Sequence, residues 1–386
     1  MDLSKLNVLL DAIRMISWQN IVMMAVGGVL IYLAITKDYE PLLLLPIGFG
    51  AILTNLPLTG IFNIEQYSSV FNPNEGPGFL GSLFNFGIAT ELFPLFVFIA
   101  VGAMTDFGPL LEMPKMALLG AAGQFGIFGT LMLALALKFP LNQAASIGII
   151  GAIDGPTAIY VSSKIAPELL GPIAVCAYSY MSLVPIIQPP VMRLMTTMEE
   201  RTVRMPYSQK EISRTVRILF PIVVTVVVSL LAPKASPLIA ALMFGNLLRE
   251  AGCVESLNNA AQNELANLTT MFLGIVIGGT MVGDKFLTTS TLLILVLGLL
   301  AFVLDTAGGV ALGKVMYVLS GKKFNPLIGA AGISAFPMSA RIVQRFVNEY
   351  DFENFLLMHA MGANAAGQLG SVVAGGVVLA LVAGIM

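Results

Sequence analysis

The chain has 386 residues, of which 57% are hydrophobic and only 11% carry a charge. A soluble domain carries about 25% charged residues, so this composition excludes an ordinary soluble protein and leaves no stretch for a separate soluble domain. The formal net charge of −2 says little by itself, because the positions of Lys and Arg matter more in a membrane protein, and we expect no nucleic-acid partner. Cys176 and Cys253 are too far apart in the sequence to indicate a disulfide framework or a metal site.

The N-terminal segment 1–19 is loosely amphipathic. Leucine and isoleucine recur in it at nearly helical spacing, interleaved with charged residues. It lacks the long apolar core and the small-residue cleavage site of a signal peptide, so we do not interpret it as one. The pattern predicts an N-terminal interfacial helix.

Apolar segments occupy most of the remaining chain, six on each side of a strongly charged connection. Since a span needs about 20 apolar residues, they predict an all-α, polytopic membrane protein. The predicted organisation is a first membrane repeat over 20–197, a charged cytoplasmic linker over 198–213 and a second membrane repeat over 214–386. The expected location is the bacterial cytoplasmic (inner) membrane.

The two halves resemble each other in order, which indicates an internal duplication. Gly148 and Pro156 correspond to Gly329 and Pro337 at a constant offset of 181 positions. Further correspondences are PLLLLPIGFG (41–50) with PLIAALMFG (237–245), and IAVGAM (99–104) with IVIGGT (275–280).

Two segments, 141–163 and 325–345, carry glycine, proline and polar residues that interrupt helices. Non-helical backbone persists at membrane depth only when it is buried in protein or lines a water-filled cavity. If both segments are broken or re-entrant, each repeat has about five spans, the repeats have inverted topology, and the breaks meet near the midplane. Twelve basic residues on the linker side, against four on the other, favour a cytoplasmic linker with both termini outside.

The first of these segments contains an acid, Asp154, in GAIDGPTAIY (151–160). A carboxylate in hydrocarbon costs roughly 2.5–3.5 kcal/mol on insertion scales, so such groups usually face a cavity, a partner or an ion path. We predict that Asp154 binds a hard monovalent cation or a proton, together with Thr157 and backbone carbonyls that the break exposes. The alternative is a structural acid paired with Arg341.

Further polar side chains are candidates for the same path. The second broken segment and the last span offer Asn325, Ser334, Ser339, Arg341, Asn364, Gln368 and Ser371. For the polar residues of the last span, hydrogen bonding between helices is the competing explanation. Asp305 is a second intramembrane acid, either on a proton path or capped. Tyr178 and Tyr180 either line the path or pack with hydrogen-bonded hydroxyls.

Three long motifs carry a resemblance to a known family. They are GAIDGPTAIYVSSKIAPELLGPIAVCAYSYMSLVPIIQPPVMRL (151–194), NPLIGAAGISAFPMSAR (325–341) and GANAAGQLGSVVAGG (362–376). They resemble the β subunit of sodium-translocating carboxylic acid decarboxylases, which act on oxaloacetate, methylmalonyl-CoA, malonate or glutaconyl-CoA. The resemblance implies a membrane subunit that decarboxylates carboxybiotin and couples this to Na⁺ export, with consumption of a proton.

The resemblance also assigns roles to residues. Catalytic roles fall on Asp154, Tyr180 and Arg341. Sodium ligation falls on Asp154, Asn325, Ser334 and Asn364. Gly329 is a further pathway position that the resemblance implies. The other pathway candidates come from their polarity within apolar segments rather than from the resemblance: Thr157, Gln368, Ser371 and Asp305. Whether Tyr180 or Asp154 supplies the proton stays open.

The implied partners are a carboxyltransferase subunit, a biotin carrier protein that delivers carboxybiotin and a small single-span membrane subunit, in a complex that contains several copies of this chain. The alternative function is a stand-alone, elevator-type secondary transporter, either a sodium-coupled carboxylate carrier or a Na⁺/H⁺ antiporter. Inverted repeats with broken helices are equally natural in such a carrier. A stand-alone carrier would move its solute without any partner.

Overall fold

The computed structural model describes residues 14–37, 40–65, 67, 72–206 and 212–385. Every regular element in these ranges is a helix, which confirms the all-α expectation. The predicted interfacial helix at 1–19 lies largely outside the described residues, as does part of the predicted linker.

The helices of the first half run up to the charged linker. They are α1 (Trp18–Lys37), α2 (Pro41–Thr54), α3 (Gly78–Gly87), α4 (Leu92–Met104), α5 (Gly108–Glu112), α6 (Met116–Ala122), α7 (Phe125–Ala136), α8 (Leu141–Gly148), α9 (Gly155–Ile165) and α10 (Leu170–Met195). Short 3₁₀ turns precede α9 at Ile149–Ala152 and α10 at Pro167–Leu169.

The remaining helices begin in the linker itself. They are α11 (Met198–Arg201), α12 (Arg214–Leu231), α13 (Ser236–Ala251), α14 (Glu255–Ala260), α15 (Ala266–Gly279), α16 (Gly283–Phe286), α17 (Thr289–Leu319), α18 (Met338–Asn348) and α19 (Leu357–Ile385). Turns of 3₁₀ helix at Pro233–Ala235 and Pro326–Gly332 and of π-helix at Ala261–Leu265 lie between them.

Five stretches among the described residues are long and apolar enough to cross a membrane, and two bent pairs bring the total to seven. The single stretches are Trp18–Lys37, Met116–Ala136, Arg214–Leu231, Thr289–Leu319 and Leu357–Gly384. The protein is therefore a multi-pass membrane protein. Several of the predicted apolar segments form shorter helices, such as α2 with 14 residues, because hydropathy marks a buried helix as readily as a complete span.

The bent pairs have local causes. Helices α3 and α4 meet at 59°, and α10 bends by 67° between Met181 and Leu183. The bend in α10 lies one turn before Pro185, which cannot donate a backbone hydrogen bond to the preceding turn.

Helices of one half pack against helices of the other half in a matching pattern. Helix α2 packs against α15, and α4 packs against α13. Since α2 corresponds to α13 and α4 to α15 in the matched segments, the two contacts are equivalent. A methyl group added to Gly50 or Gly278 would collide with the facing helix backbone, and the same holds for Gly245 and Gly102. These four glycines occupy corresponding positions in the matched segments.

Two asparagines also form hydrogen bonds between the two halves. Asn55 donates to the Met281 carbonyl at 2.7 Å, and Asn246 donates to the Thr105 carbonyl at 3.0 Å. The reciprocal contacts support the predicted duplication, which stays a prediction together with its inverted topology.

Helix α19 is the most buried of the five spanning stretches. It packs against α6, α9, α18 and the 326–332 turn, so both broken segments contact it. Small residues make this possible, since Gly120, Gly332 and Gly367 each approach a neighbouring backbone too closely for a side chain. Helix α19 is therefore the element on which the two breaks converge.

Candidate functional site

The first broken segment places Asp154 at the start of a helix. The 3₁₀ turn ends at Ile153, whose φ of 51° is left-handed, and Asp154 is the N-cap of α9. A β-branched residue at positive φ is a genuine outlier that costs about 1–3 kcal/mol and tends to occur at functional sites. The ring of Tyr178 covers Gly155 so closely that a methyl group there would collide with it.

The Asp154 carboxylate is buried, with 4% of the residue exposed. Its Oδ2 accepts hydrogen bonds from Thr157 Oγ1 at 2.7 Å, Ser371 Oγ at 2.8 Å and Gln368 Nε2 at 3.4 Å. Its Oδ1 accepts from the Thr157 backbone N–H at 3.4 Å. The structure thus brings together four of the predicted site residues from α9 and α19.

Every hydrogen-bond donor to Asp154 among the described residues is uncharged. Arg341 is exposed and forms no ion pair with Asp154, so the alternative of a structural salt bridge is not what this conformation contains. Without a cationic side chain beside it, a buried carboxylate needs either a bound cation that balances its charge or a proton that removes it. Both occupants are those that the sequence predicts for Asp154.

The second broken segment reaches α19 through two other predicted residues. Ser334 Oγ donates to the Gly367 carbonyl at 3.0 Å, and Asn364 Nδ2 donates to the Ile333 carbonyl at 2.6 Å. Both side chains are buried. Asn364 lies one to two turns of α19 before Gln368 and Ser371, which contact Asp154, and Ser334 bonds to Gly367, next to Gln368. The two groups therefore form neighbouring parts of one polar region.

Asn325 and Gly329 have other contacts. Asn325 Nδ2 donates to the carbonyls of Arg201 and Val203 at 3.1 and 2.9 Å, and its Oδ1 accepts from the Leu327 N–H. Asn325 thus ties the linker to the second break in this conformation. Gly329 lies against the backbone of Gly309, where a methyl group would collide.

Tyr180 and Asp305 are also apart from Asp154. The Tyr180 hydroxyl donates to the Leu295 carbonyl on α17. Asp305 Oδ1 accepts from the Gly126 N–H at the start of α7, whereas its Oδ2 has no hydrogen-bond partner among the described residues. The tyrosine beside the Asp154 site is Tyr178, for which the sequence left open whether it lines the path or only packs.

Arg341 lines an open cavity of about 360 Å³ together with Asp106. The other lining residues are mostly apolar: Met104, Pro109, Phe336, Pro337, Leu357, Met358 and Met361. The cavity therefore offers a guanidinium group beside apolar surface, a combination that can bind a carboxylate attached to an apolar body.

The groups that donate to Asp154 are two hydroxyls, a side-chain amide and a backbone N–H. Within the described ranges, no group of three or more His, Cys, Asp or Glu side chains is placed to hold a metal ion. A single carboxylate with hydroxyl and amide groups is the chemistry of an alkali cation or a proton.

Comparison with known proteins gives the same family throughout. The family model described as the Na⁺-transporting oxaloacetate decarboxylase beta subunit matches residues 19–382. The glutaconyl-CoA decarboxylase subunit beta of Acidaminococcus fermentans is 51% identical, over 95% of this chain and 94% of that protein.

Two further relatives are similar over their whole lengths. The methylmalonyl-CoA decarboxylase subunit beta of Propionigenium modestum is 50% identical, over 94% of both chains. The probable oxaloacetate decarboxylase beta chain of Vibrio cholerae is 47% identical, over 96% of both chains. These matches favour the decarboxylase function over the stand-alone carrier, and we conclude that the chain belongs to the family of sodium-transporting decarboxylase beta subunits.

Proposed function

We propose that this chain decarboxylates carboxybiotin within a multi-subunit complex and couples that step to Na⁺ export, with one proton consumed. The observation that carries the proposal is the Asp154 carboxylate, which is buried at a helix break and accepts hydrogen bonds, within the described ranges, only from hydroxyl and amide groups. Sodium would replace these donors as the partner of the carboxylate. The hydroxyl oxygens of Thr157 and Ser371 would then turn toward the ion.

Sodium and a proton are alternative occupants of the same carboxylate in this proposal. Asp154 has one fully bonded oxygen, Oδ2, and a second, Oδ1, with a single weak backbone contact. The Tyr180 hydroxyl, in contrast, donates to the Leu295 carbonyl. We therefore assign proton exchange to Asp154, and we assign Tyr180 a positioning role between α10 and α17.

Carboxybiotin would bind in the cavity that Arg341 lines. The apolar lining fits a bicyclic ring, and the guanidinium fits the carboxylate of the carboxylated ureido group. Carboxybiotin supplies the CO₂ whose release drives the cycle. Arg341 would hold that carboxylate in this open cavity, and Asp106 would contribute an acceptor among the lining residues.

The partners follow from the beta-subunit family. A biotin carrier protein, a carboxyltransferase subunit and a small single-span membrane subunit would complete the enzyme. The carrier would approach from the side of the charged linker, which is the predicted cytoplasmic face. The acid that feeds the complex would be selected by the carboxyltransferase.

Reconstitution separates this proposal from a stand-alone carrier. Proteoliposomes that contain this chain alone should take up no ²²Na⁺ in response to a pH or carboxylate gradient. Proteoliposomes that contain the whole complex should take up ²²Na⁺ only while the carboxylic acid substrate is consumed. Gradient-driven uptake of ²²Na⁺ by the chain alone would favour the stand-alone transporter.

A further inference from the structure

A buried glutamine outside the predicted site has an unsatisfied oxygen. Gln124 lies between α6 and α7 and is 5% exposed. Its Nε2 donates to the carbonyls of Gly120 at 3.0 Å and Gly367 at 3.3 Å. Its Oε1 is buried and has no hydrogen-bond partner among the described residues. Because both contacts of Nε2 are carbonyl oxygens, the orientation of the amide is fixed by its surroundings.

Asn364 shows the same arrangement on α19. Its Nδ2 donates to the Ile333 carbonyl at 2.6 Å, and its Oδ1 is buried without a partner in the described part of the chain. A buried amide oxygen without a donor costs free energy that water or a ligand would normally recover. Gln124 Oε1 and Asn364 Oδ1 are two of several such atoms among the described residues, and both belong to amides that contact the second break or the adjoining part of α19.

The two amides belong to one junction of three backbones. Gln124 Nε2 and Ser334 Oγ donate to the same carbonyl, that of Gly367. A methyl group added to Gly123 or Gly367 would collide with the carbonyl oxygen of Gly332. The end of α6, the second break and the middle of α19 therefore meet here without intervening side chains.

The junction is adjacent to the Asp154 site. Asn364 and Gly367 lie in the same two turns of α19 as Gln368 and Ser371, which donate to Asp154 Oδ2. An ion at the junction would meet amide, carbonyl and hydroxyl oxygens, which are all uncharged, whereas an ion at Asp154 meets a carboxylate. A neutral site beside a charged one is suited to pass a dehydrated cation along.

We propose that Gln124 is a sodium ligand: its Oε1 and Asn364 Oδ1 form a neutral sodium subsite at the junction of α6, the second break and α19, beside the carboxylate subsite at Asp154. This inference rests on the proposed transport of Na⁺ through the Asp154 site. It adds a residue from a third element, α6–α7, to the ion path. Sodium is the expected occupant because it takes several hard oxygen ligands and needs no further acid.

The test measures Na⁺ binding to the purified whole complex. The variants are Gln124→Met, which keeps the length of the side chain but removes the oxygen, and Asp154→Asn. The matched control is Gln262→Met, since Gln262 also donates to a carbonyl of a neighbouring helix, Ala103, at 2.7 Å but is remote from Asp154. Binding is measured by ²²Na⁺ equilibrium dialysis and by the Na⁺-dependent rise in unfolding temperature.

We expect Gln124→Met to raise the half-saturating Na⁺ concentration about tenfold, the lower end of the loss seen when a metal site loses one supporting group. Gln262→Met should bind as the unmodified complex does, and Asp154→Asn should lose binding altogether. If Gln124→Met binds Na⁺ normally while Asp154→Asn does not, the inference is wrong and the proposed function stands. If Asp154→Asn also binds normally, both are wrong.

A second variant covers the case in which Gln124→Met fails to assemble. Gln124→Glu keeps an oxygen ligand and adds a charge, so Na⁺ binding should become tighter at high pH and weaken as the new carboxyl is protonated. Binding with the half-saturation and pH dependence of the unmodified complex would contradict a ligand role for Gln124.

Discussion

The Asp154 carboxylate receives hydrogen bonds from two hydroxyls and one amide, and none of these donors is charged. Hydroxyl groups can reverse roles, since they donate to a carboxylate and also offer lone pairs to a cation. The same side chains can therefore stabilise Asp154 between ions and help to coordinate an ion when one is bound. At this scale, the chemistry depends on Thr157 and Ser371 as much as on the acid.

Ser371→Ala and Thr157→Val should each weaken Na⁺ activation of decarboxylation. A hydrogen bond to a charged group contributes about 1.5–3 kcal/mol, so half-saturating Na⁺ should rise by about tenfold or more. The matched control is Ser162→Ala, because Ser162 is also buried on α9 but its hydroxyl has no partner among the described residues. The measurement is the rate of decarboxylation by the complex against Na⁺ concentration. An equal shift in all three variants would contradict a specific role at Asp154.

At the scale of helices, close packing without side chains holds the two halves together. Gly102 on α4 contacts the Leu242 carbonyl on α13, and Gly245 on α13 contacts the Ile99 carbonyl on α4. Without water inside a membrane, association of helices depends on such small-residue packing and on hydrogen bonds such as that of Asn246 with Thr105.

Gly102→Ala and Gly245→Ala should each destabilise the folded protein by about 1–3 kcal/mol, because an added methyl group overpacks the interface. The control is Gly28→Ala on α1, where an added methyl group meets nothing within 4 Å. Unfolding temperature in detergent is the measurement. If Gly102→Ala or Gly245→Ala lowers the unfolding temperature no more than Gly28→Ala does, the interface accommodates a methyl group and is looser than the structure indicates.

A second element-scale feature holds the linker against the second broken segment. Arg204 forms a bidentate pair with Asp351 at 2.7 and 2.8 Å, Arg201 stacks on the Tyr350 ring at 4.9 Å, and Asn325 binds the linker backbone. Hydrogen bonding to Arg204 lowers the pKa of Asp351 below its usual value. These contacts connect the predicted cytoplasmic surface to the segment that carries Ser334.

The Arg204–Asp351 pair predicts a small pH dependence of stability. A carboxyl with a lowered pKa in the folded state stabilises the protein above its ordinary pKa of about 3.9, and this contribution is lost as pH falls through the folded-state pKa. Asp351→Asn should therefore lower the unfolding temperature slightly at pH 7, because exposed pairs contribute little. The difference from the unmodified protein should disappear in acid. A difference that grows as pH falls would contradict this assignment.

At the scale of the whole molecule, the linker defines one face of the membrane. Arg214 donates to the Ala251 carbonyl and Arg217 to Glu250, so the α13–α14 connection lies on the same face as the start of α12. The excess of basic residues on the linker side predicts that this face is cytoplasmic. The face also carries the exposed Cys253, whereas Cys176 is buried.

Cysteine labelling tests this orientation. A membrane-impermeant maleimide should label Cys253 in inverted membrane vesicles but not in intact cells. The Cys253→Ser variant should remain unlabelled in both, since Cys176 is inaccessible. Labelling of Cys253 in intact cells would place the linker outside.

Much of this organisation was predictable from local sequence. Glycine and proline located both breaks, and the rarity of acids in apolar segments singled out Asp154. Thr157, Gln368 and Ser371 followed from their polarity within spans, and the structure brings them to the carboxylate. These residues share one property, since each is polar at a position where lipid would penalise it.

Tertiary contacts were not predictable in the same way. Tyr178 and Tyr180 are two residues apart on a helix, so they point in different directions, and the sequence does not say which one faces Asp154. Asn325 before a proline suits an ion ligand or a helix cap equally, and only the fold reveals its bonds to the linker. Gln124 became a candidate only through its contact with Gly367, which lies 243 positions further along the chain.

The most direct test of the central claim measures CO₂ release and ²²Na⁺ uptake together, in proteoliposomes of the whole complex with Asp154→Asn. An asparagine keeps the shape of the side chain but removes the charge that compensates Na⁺. We predict that both Na⁺-stimulated decarboxylation and Na⁺ uptake are lost, while the complex still assembles. Uptake of Na⁺ at the unmodified ratio to CO₂ release would contradict the account.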